Sequence, residues 1–123
     1  MHGPAPPHPI AQEAEQLAAR LYEDDGWVVV DRNWRTRYGE IDLVAVRGGV
    51  VAFVEVKARR GRRLGGARAA VDARKLLRVR RMAERWLADH RAARRLAARI
   101  DVVAVQFGPG DVVEEVIRIE SCG

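Results

Sequence analysis

Residues 39–60 read GEIDLVAVRGGVVAFVEVKARR, two β-branched runs joined by a pair of glycines. Glycine supplies the positive φ that a tight hairpin turn requires, so the pair at residues 48–49 predicts a β-hairpin. With the turn placed there, each residue of the first strand has a defined partner on the second. Asp42 then faces Glu55, and Glu40 faces Lys57.

The side chains of a strand alternate between the two faces of a sheet, so all four charged residues project from one face of the hairpin. They share that face with Val44, Val46, Val51 and Phe53. The opposite face carries no charge and comprises Ile41, Leu43, Ala45, Ala52, Val54 and Val56. We therefore expect one wholly apolar face and one face that is apolar near the turn and charged at its far end.

Periodicity on either side of the hairpin predicts an α/β fold. Apolar residues recur at helical spacing in two segments, and β-branched residues dominate the others. The expected elements are a helix at residues 10–25, strands at 27–35, 40–47 and 50–58, a helix at 71–89 and strands at 99–107 and 111–120. This order favours one mixed sheet with a helix on either side. We expect a single domain at residues 10–120 behind a disordered, proline-rich leader at residues 1–9.

Composition excludes several classes of protein and site. The chain of 123 residues contains no apolar run of about 18 residues and no signal-peptide pattern, so we expect a cytoplasmic protein without a membrane partner. Its single cysteine, Cys122, cannot form a disulfide framework. The three histidines, at positions 2, 8 and 90, lack the spacing of a zinc site.

The net charge of +5 is unevenly distributed along the chain. Residues 57–99 hold 16 basic and 3 acidic side chains, whereas the segments before and after this block are both net acidic. Nucleic acid is the usual polyanion that binds an arginine-rich surface. The alternative is a solvated surface, and charge alone does not separate the two.

The second predicted helix shows two stripes at helical spacing. An apolar stripe, expected to face the sheet, comprises Leu76, Val79, Ala83 and Trp86. A basic stripe that suits a phosphate backbone comprises Arg74, Arg78, Arg81 and Arg85. A solvated helix face is the alternative, although such faces usually interleave acids with bases. The basic residues expected to contact nucleic acid are Arg59, Arg60, Arg62, Arg63, Arg74, Lys75, Arg78, Arg81 and Arg85.

The predicted pairing of Asp42 with Glu55 brings two carboxylates together, so the fold must relieve their electrostatic repulsion. Directly opposed carboxylates have Cβ atoms about 4.5 to 5.5 Å apart and repel by roughly 3 kcal/mol at an effective dielectric constant near 20. Either a raised pKa that lets the pair share a proton or a bound cation relieves this repulsion. Oxygen ligands favour Mg²⁺ or Mn²⁺, and such an ion beside a basic surface suits phosphodiester hydrolysis.

Lys57 and Glu15 are further candidates for this site. Only two of the 22 basic residues are lysines, which favours a specific role for a compact ammonium at Lys57, such as orienting or deprotonating the attacking water. The alternative is a cross-strand ion pair with Glu40, worth about 0.2 to 1 kcal/mol. Glu15 borders the apolar stripe of the first helix and can complete the carboxylate set, unless it is a solvent-exposed boundary residue.

These motifs resemble the PD-(D/E)XK nuclease superfamily and, more closely, the YraN-like family of small bacterial proteins. The superfamily resemblance rests on GEID at residues 39–42 and EVK at residues 55–57, with twelve residues between Asp42 and Glu55. The family resemblance adds Ala14-Glu15 with Ala18, RNWR at 32–35, VEVKAR at 54–59, Ala70-Val71 with Arg74-Lys75, and DVVAV at 101–105.

The resemblance implies a restriction-endonuclease-like αβββαβ core with one mixed central sheet and a helix on each side. It implies that Asp42, Glu55, Glu15 and the main-chain carbonyl of Val56 bind Mg²⁺ or Mn²⁺, and that Lys57 is the catalytic lysine. A distant similarity to archaeal-type Holliday-junction resolvases implies branched DNA as substrate and is compatible with a homodimer. The chain departs from the family at Leu76, where a glutamine often stands.

Three functions follow from this reading of the sequence. The leading one is a metal-dependent DNA endonuclease. The second is a nucleic-acid-binding protein that keeps the nuclease fold without turnover. The third is a partner-binding protein whose arginine-rich helix contacts an acidic protein.

Overall fold

The computed structural model describes residues 9–61 and 73–120, with the backbone alone for residues 73–75. Its helices and strands are α1 (Pro9–Asp24), β1 (Val28–Thr36), β2 (Gly39–Arg47), β3 (Val50–Arg60), α2 (Ala73–Asp89), β4 (Ala97–Phe107) and β5 (Val113–Ile119). Short 3-10 turns occupy Arg91–Arg95 and Pro109–Asp111. The predicted leader and the predicted start of the second helix at Val71 lie outside the described residues.

The five strands form one mixed sheet in the order β1-β2-β3-β4-β5. β3 and β4 run parallel, and the other neighbours are antiparallel. A parallel pair needs a crossover connection, and α2 lies within the one that joins β3 to β4. The predicted α/β class, with a mixed sheet and two helices, is confirmed.

The two helices cover opposite faces of the sheet. Alanines at positions 14, 18 and 19 let α1 pack closely against the apolar side chains of one face, such as Leu43 and Val54. On the other face, α2 packs Val79, Met82, Ala83 and Trp86 against side chains that include Phe53. The apolar stripe predicted for the second helix is therefore confirmed, with Met82 as an additional member. In the part of the chain that the structure describes, neither helix has the length and apolar character needed to cross a membrane.

The predicted register of the hairpin is correct near its turn. β2 and β3 pair from Arg47 opposite Val50 to Leu43 opposite Val54. The paired residues end there, so the ladder stops just before Asp42 and Glu55. Beyond Val54, β3 is no longer paired with β2 but remains paired with β4 as far as Arg60. The two strands of the hairpin therefore part at the point where the charged residues begin.

One predicted face assignment is wrong. Ile41 was expected beside Leu43 on the uncharged face, but it packs in the α2-side core with Trp34 and Val44, whereas Leu43 packs on the α1 side. Two residues that are two positions apart thus lie on opposite faces, so the alternation of β2 breaks at Asp42. On β1, Asn33 has a φ of 50° instead of an extended backbone, and it lies between Arg32, which pairs with Leu43, and Trp34, which pairs with Ile41.

Candidate active site

Three carboxylates from α1 and β2 meet where β2 separates from β3. Glu15 of α1 and Glu40 and Asp42 of β2 each place one oxygen within 4.8 Å of the others. All three residues are partly buried. Glu15 reaches the sheet because the alanines around it on α1 allow close packing. The predicted contribution of the first helix to the carboxylate set is therefore present in the structure, and Glu40 is an additional member.

Asp42 is the most strongly perturbed member of this carboxylate cluster. Burial and, next, the nearby charge of Glu55 raise the pKa of Asp42 to about 8, and Glu15 and Glu40 add to the shift. A hydrogen bond from the main-chain N–H of Val56 to Asp42 Oδ2, at 2.7 Å, opposes the rise. At neutral pH, in the absence of a cation, Asp42 is thus largely protonated.

Glu15 is held by Asn33, a residue to which the sequence assigned no role beyond its place in the RNWR motif. Burial and the charge of Glu40 raise the pKa of Glu15, while a hydrogen bond from the Asn33 amide and the charge of Arg35 lower it. Asparagine is one of the few residues that adopt the left-handed conformation readily, which explains its place at this irregularity. An asparagine within a β-branched run was the only signal of this role in the sequence.

Lys57 pairs with Glu55 on its own strand. Its Nζ lies 2.7 Å from Glu55 Oε1, and the two side chains are only 18% and 15% exposed. The alternative pairing of Lys57 with Glu40 is wrong, because Glu40 instead accepts a hydrogen bond of 2.7 Å from Arg35 Nε. The separation of β2 from β3 explains the difference, since Glu40 and Lys57 no longer face each other.

Two cavities open onto Asp42. One, of about 210 Å³, is lined by Gly39, Glu40, Asp42, Glu55, Arg78, Val79 and Met82. The other, of about 160 Å³, is lined by Gln12, Glu15, Gln16, Arg32, Asn33, Asp42 and Leu43. Glu55 thus borders the carboxylate cluster through the first cavity. Asp42 can be reached from the side of α1 and from the side of α2.

The basic stripe of α2 reaches the first cavity at Arg78. Arg78, Arg81 and Arg85 are all exposed, as a nucleic-acid contact requires. Of the other predicted contacts, Arg59 is exposed, and Arg60 makes two hydrogen bonds to Asp111, at 2.8 and 2.9 Å. Four members of the predicted set fall outside the described residues or side chains: Arg62, Arg63, Arg74 and Lys75.

The carboxylate cluster fits a hard divalent cation. All its donors are carboxylate oxygens, the class of ligand that Mg²⁺ and Mn²⁺ prefer. Burial and the charges of neighbouring carboxylates raise the pKa values of Asp42 and Glu15, and a cation bound in place of the proton would relieve the repulsion between these charges. The predicted role of the Val56 carbonyl as a ligand stays a prediction, and its main-chain N–H is already bonded to Asp42.

Comparison of the sequence with known proteins identifies its family. The profile of the "Uncharacterised protein family UPF0102" matches residues 14–105. A UPF0102 protein of Rhodococcus jostii is 45% identical over 102 residues, covering 82% of this chain and 85% of the relative. One of Frankia alni is 47% identical over 110 residues, covering 89% and 91%. One of Beutenbergia cavernae is 50% identical over 96 residues, covering 78% and 80%. The chain therefore belongs to the UPF0102 family, the YraN-like family that its motifs indicate.

Proposed function

We propose that the protein is a nuclease of the PD-(D/E)XK type that uses Mg²⁺ or Mn²⁺ to hydrolyse phosphodiester bonds in DNA, with branched DNA as the leading substrate. One observation supports this proposal above the others: the carboxylate cluster of Glu15, Glu40 and Asp42 lies beside the partly buried Lys57–Glu55 pair and the exposed Arg78. Cation ligands, an ammonium and a phosphate-binding guanidinium thus share one region of the surface.

The proposed cation ligands are the carboxylates of Asp42, Glu15 and Glu40, together with Glu55 and the Val56 carbonyl that the family resemblance implies. Asp42 and Glu15 belong both to the carboxylate cluster and to the ligand set that the resemblance implies, and Asp42, which opens onto both cavities, is the central ligand. When bound, the cation supplies positive charge that stabilises the phosphate in the transition state and makes a nearby water more acidic. The raised pKa of Asp42 makes cation binding compete with a proton below about pH 8.

Lys57 and Arg78 have different tasks in this proposal. The ion pair with Glu55 fixes the position of the Lys57 ammonium, whose remaining N–H groups can orient the attacking water or contact a phosphate oxygen. The exposed Arg78 guanidinium at the cavity is suited to two parallel hydrogen bonds with the scissile phosphate. Together they place the phosphate between the carboxylate cluster and α2.

A second candidate function is nucleic-acid binding without turnover. It is favoured by Leu76, which stands where the family often has a glutamine and which packs against the α2-side core. No side-chain amide is available at this position to contact the lysine or the phosphate.

Cleavage assays distinguish the two candidates. Labelled Holliday junctions, flaps and linear duplexes are incubated with the protein in Mg²⁺, Mn²⁺ or EDTA. We expect metal-dependent cleavage of at least the branched substrates, reduced by about 10² to 10⁴-fold in Asp42→Asn and in Lys57→Met. Arg94→Ala, an exposed position in the turn after α2, serves as the control with full activity. Binding without cleavage of any substrate in either metal would establish the second candidate and exclude the first.

A further inference from the structure

A groove adjoins the cavity of the carboxylate cluster. It lies between the β1–β2 turn and α2, has a volume of about 570 Å³ and is lined by Thr36, Tyr38, Leu77, Arg78, Arg81, Met82 and Arg85. Arg78 and Met82 also line the cavity that contains Glu40, Asp42 and Glu55. The groove and the cavity therefore share part of their α2 wall, and a ligand in this Tyr38 groove lies next to the proposed cleavage site.

Two large apolar side chains are exposed in the Tyr38 groove. Tyr38 at the β1–β2 turn is 66% exposed, and Leu77 of α2 is 51% exposed. The Arg37 guanidinium lies 5.0 Å from the centre of the Tyr38 ring, and its Nη2 donates a hydrogen bond of 2.8 Å to the Tyr38 hydroxyl. Arg37 thus covers one face of the ring and restrains it, so a planar ligand can stack on the other face at a low cost in conformational entropy.

The charge of the Tyr38 groove is positive. Arg78, Arg81 and Arg85 line its α2 side, and among the side chains that the structure describes the only acid within ion-pair distance of them is Asp89, 3.7 Å from Arg85. An aromatic platform flanked by exposed arginines is the combination that binds single-stranded nucleic acid, in which bases stack on the ring and phosphates contact the cations.

We infer that the Tyr38 groove binds an unpaired nucleobase adjacent to the phosphate that lies at the carboxylate cluster. The position of the scissile phosphate in this inference rests on the proposed function. The binding of a base in the Tyr38 groove does not require that the protein cleaves its ligand. A base inside a duplex already has neighbours on both faces and cannot stack on Tyr38 without leaving the helix, which costs a few kcal/mol. The substrate class is thus nucleic acid with unpaired nucleotides at a flap, fork or open junction.

The test measures binding without cleavage. In EDTA, fluorescein-labelled dT and U oligonucleotides of twelve nucleotides and a duplex of equal length are titrated with wild type, Tyr38→Ala and Tyr38→Phe. We expect Tyr38→Ala to weaken binding of the single strands by about tenfold and of the duplex by less than twofold, whereas Tyr38→Phe retains the ring and binds like wild type. Equal loss with dT and U indicates stacking that does not depend on the sugar.

Several results would overturn this inference. They are no loss of affinity in Tyr38→Ala, an equal loss for single strand and duplex, or competition by poly-glutamate as effective as that by oligonucleotide. Val28→Ala, which removes a different exposed apolar side chain, is the control and should bind both ligands like wild type. Because cleavage is not measured, this test is independent of the cleavage assay. Binding can depend on Tyr38 although no substrate is cleaved, and a substrate can be cleaved although binding does not depend on Tyr38.

Discussion

Asp42 has two structural roles at once. Its Oδ2 accepts a hydrogen bond from the Val56 N–H, which would pair with β2 if the hairpin ladder continued, and the charges of Glu55, Glu15 and Glu40 act on its carboxyl group. The backbone of β3 and the carboxylate cluster therefore depend on the same side chain. This dual role couples folding to the protonation state of Asp42 and to any cation that binds there.

Stability without metal should fall as the pH rises. The folded protein holds the Asp42 proton with a pKa of about 8, against an ordinary value of 3.8. The stabilisation is complete below about pH 4 and is lost as the pH rises towards 8. We expect deprotonation of Asp42 to lower the free energy of unfolding by about 3 kcal/mol. Each unit of difference between the folded and unfolded pKa corresponds to roughly 1.4 kcal/mol, and the expected total is smaller than the full difference would give because the carboxylate is partly exposed.

Urea denaturation in EDTA at a series of pH values measures this loss. Asn at position 42 keeps an oxygen for the Val56 N–H and carries no charge, so Asp42→Asn should flatten the pH dependence between 4 and 8. Mg²⁺ should restore stability to the wild type at pH 8 and leave the variant unchanged. A variant with the same slope as the wild type would show that another group causes the effect.

At the scale of single elements, Tyr22 attaches α1 to β4. Tyr22 and Asp101 are fully buried, and the Tyr22 hydroxyl donates a hydrogen bond to Asp101 Oδ2, which also accepts one from Arg99 Nη2 at 3.0 Å. Burial and this hydrogen bond to Asp101 raise the pKa of Tyr22. Tyr22 and Glu15 are about two helical turns apart and face the same side of α1, so this attachment helps to fix α1 where Glu15 meets the sheet.

Removing the Tyr22 hydroxyl should destabilise the protein. Tyr22→Phe takes one donor from the buried Asp101 carboxylate, and we expect the free energy of unfolding to fall by about 1 to 3 kcal/mol. Thermal and urea denaturation at pH 7 measure the loss. Tyr38→Phe is the matched control, because its hydroxyl is exposed, and it should remain within about 0.5 kcal/mol of wild type. A similar effect of both substitutions would argue against a structural role for the buried hydrogen bond.

Regular periodicity made several elements predictable from the sequence. Apolar spacing identified the hairpin register near residues 48–49 and the core stripe of α2, because both follow the geometry of ideal strands and helices. The same assumption misplaced Ile41 and paired Glu40 with Lys57, since β2 departs from regular alternation at Asp42. Glu15 was found as a candidate because small residues surround it on a helix.

Other features of the fold have little or no local signal in the sequence. The left-handed backbone at Asn33 is indicated only by the residue type, within a run that otherwise predicts a regular strand. The Tyr22–Asp101 hydrogen bond joins residues 79 positions apart. The place of Glu40 in the carboxylate cluster follows from the parting of β2 and β3, which a pairing rule based on alternation does not anticipate.

For the molecule as a whole, the basic face of α2 should dominate binding of duplex DNA. Each phosphate contact contributes about 0.9 to the slope of the logarithm of affinity against the logarithm of salt concentration. We expect the double variant Arg78→Ala/Arg81→Ala to reduce the steepness of this slope by about 2, as measured by fluorescence anisotropy between 50 and 200 mM salt.

The matched control for this prediction is Arg94→Ala/Arg95→Ala, which removes the same charge at exposed positions. These arginines precede Ala97, which pairs with the first residue of β3, whereas Glu55 lies five residues further along that strand, about 16 Å away. Its slope should match that of the wild type. An equal reduction in both double variants would indicate that net charge, and not the face of α2, determines binding.

The parallel ladder between β3 and β4 determines when the site can form. It pairs residues 47 positions apart in the chain, from Val50 with Ala97 to Arg60 with Phe107. All five acidic and basic residues at the centre of the site, from Glu15 to Lys57, are synthesised before α2 and β4. Because contacts between distant residues form slowly, a nascent chain that ends near residue 60 contains every carboxylate but lacks the strand that supports β3. We therefore expect the chain to bind a cation only after β4 has left the ribosome.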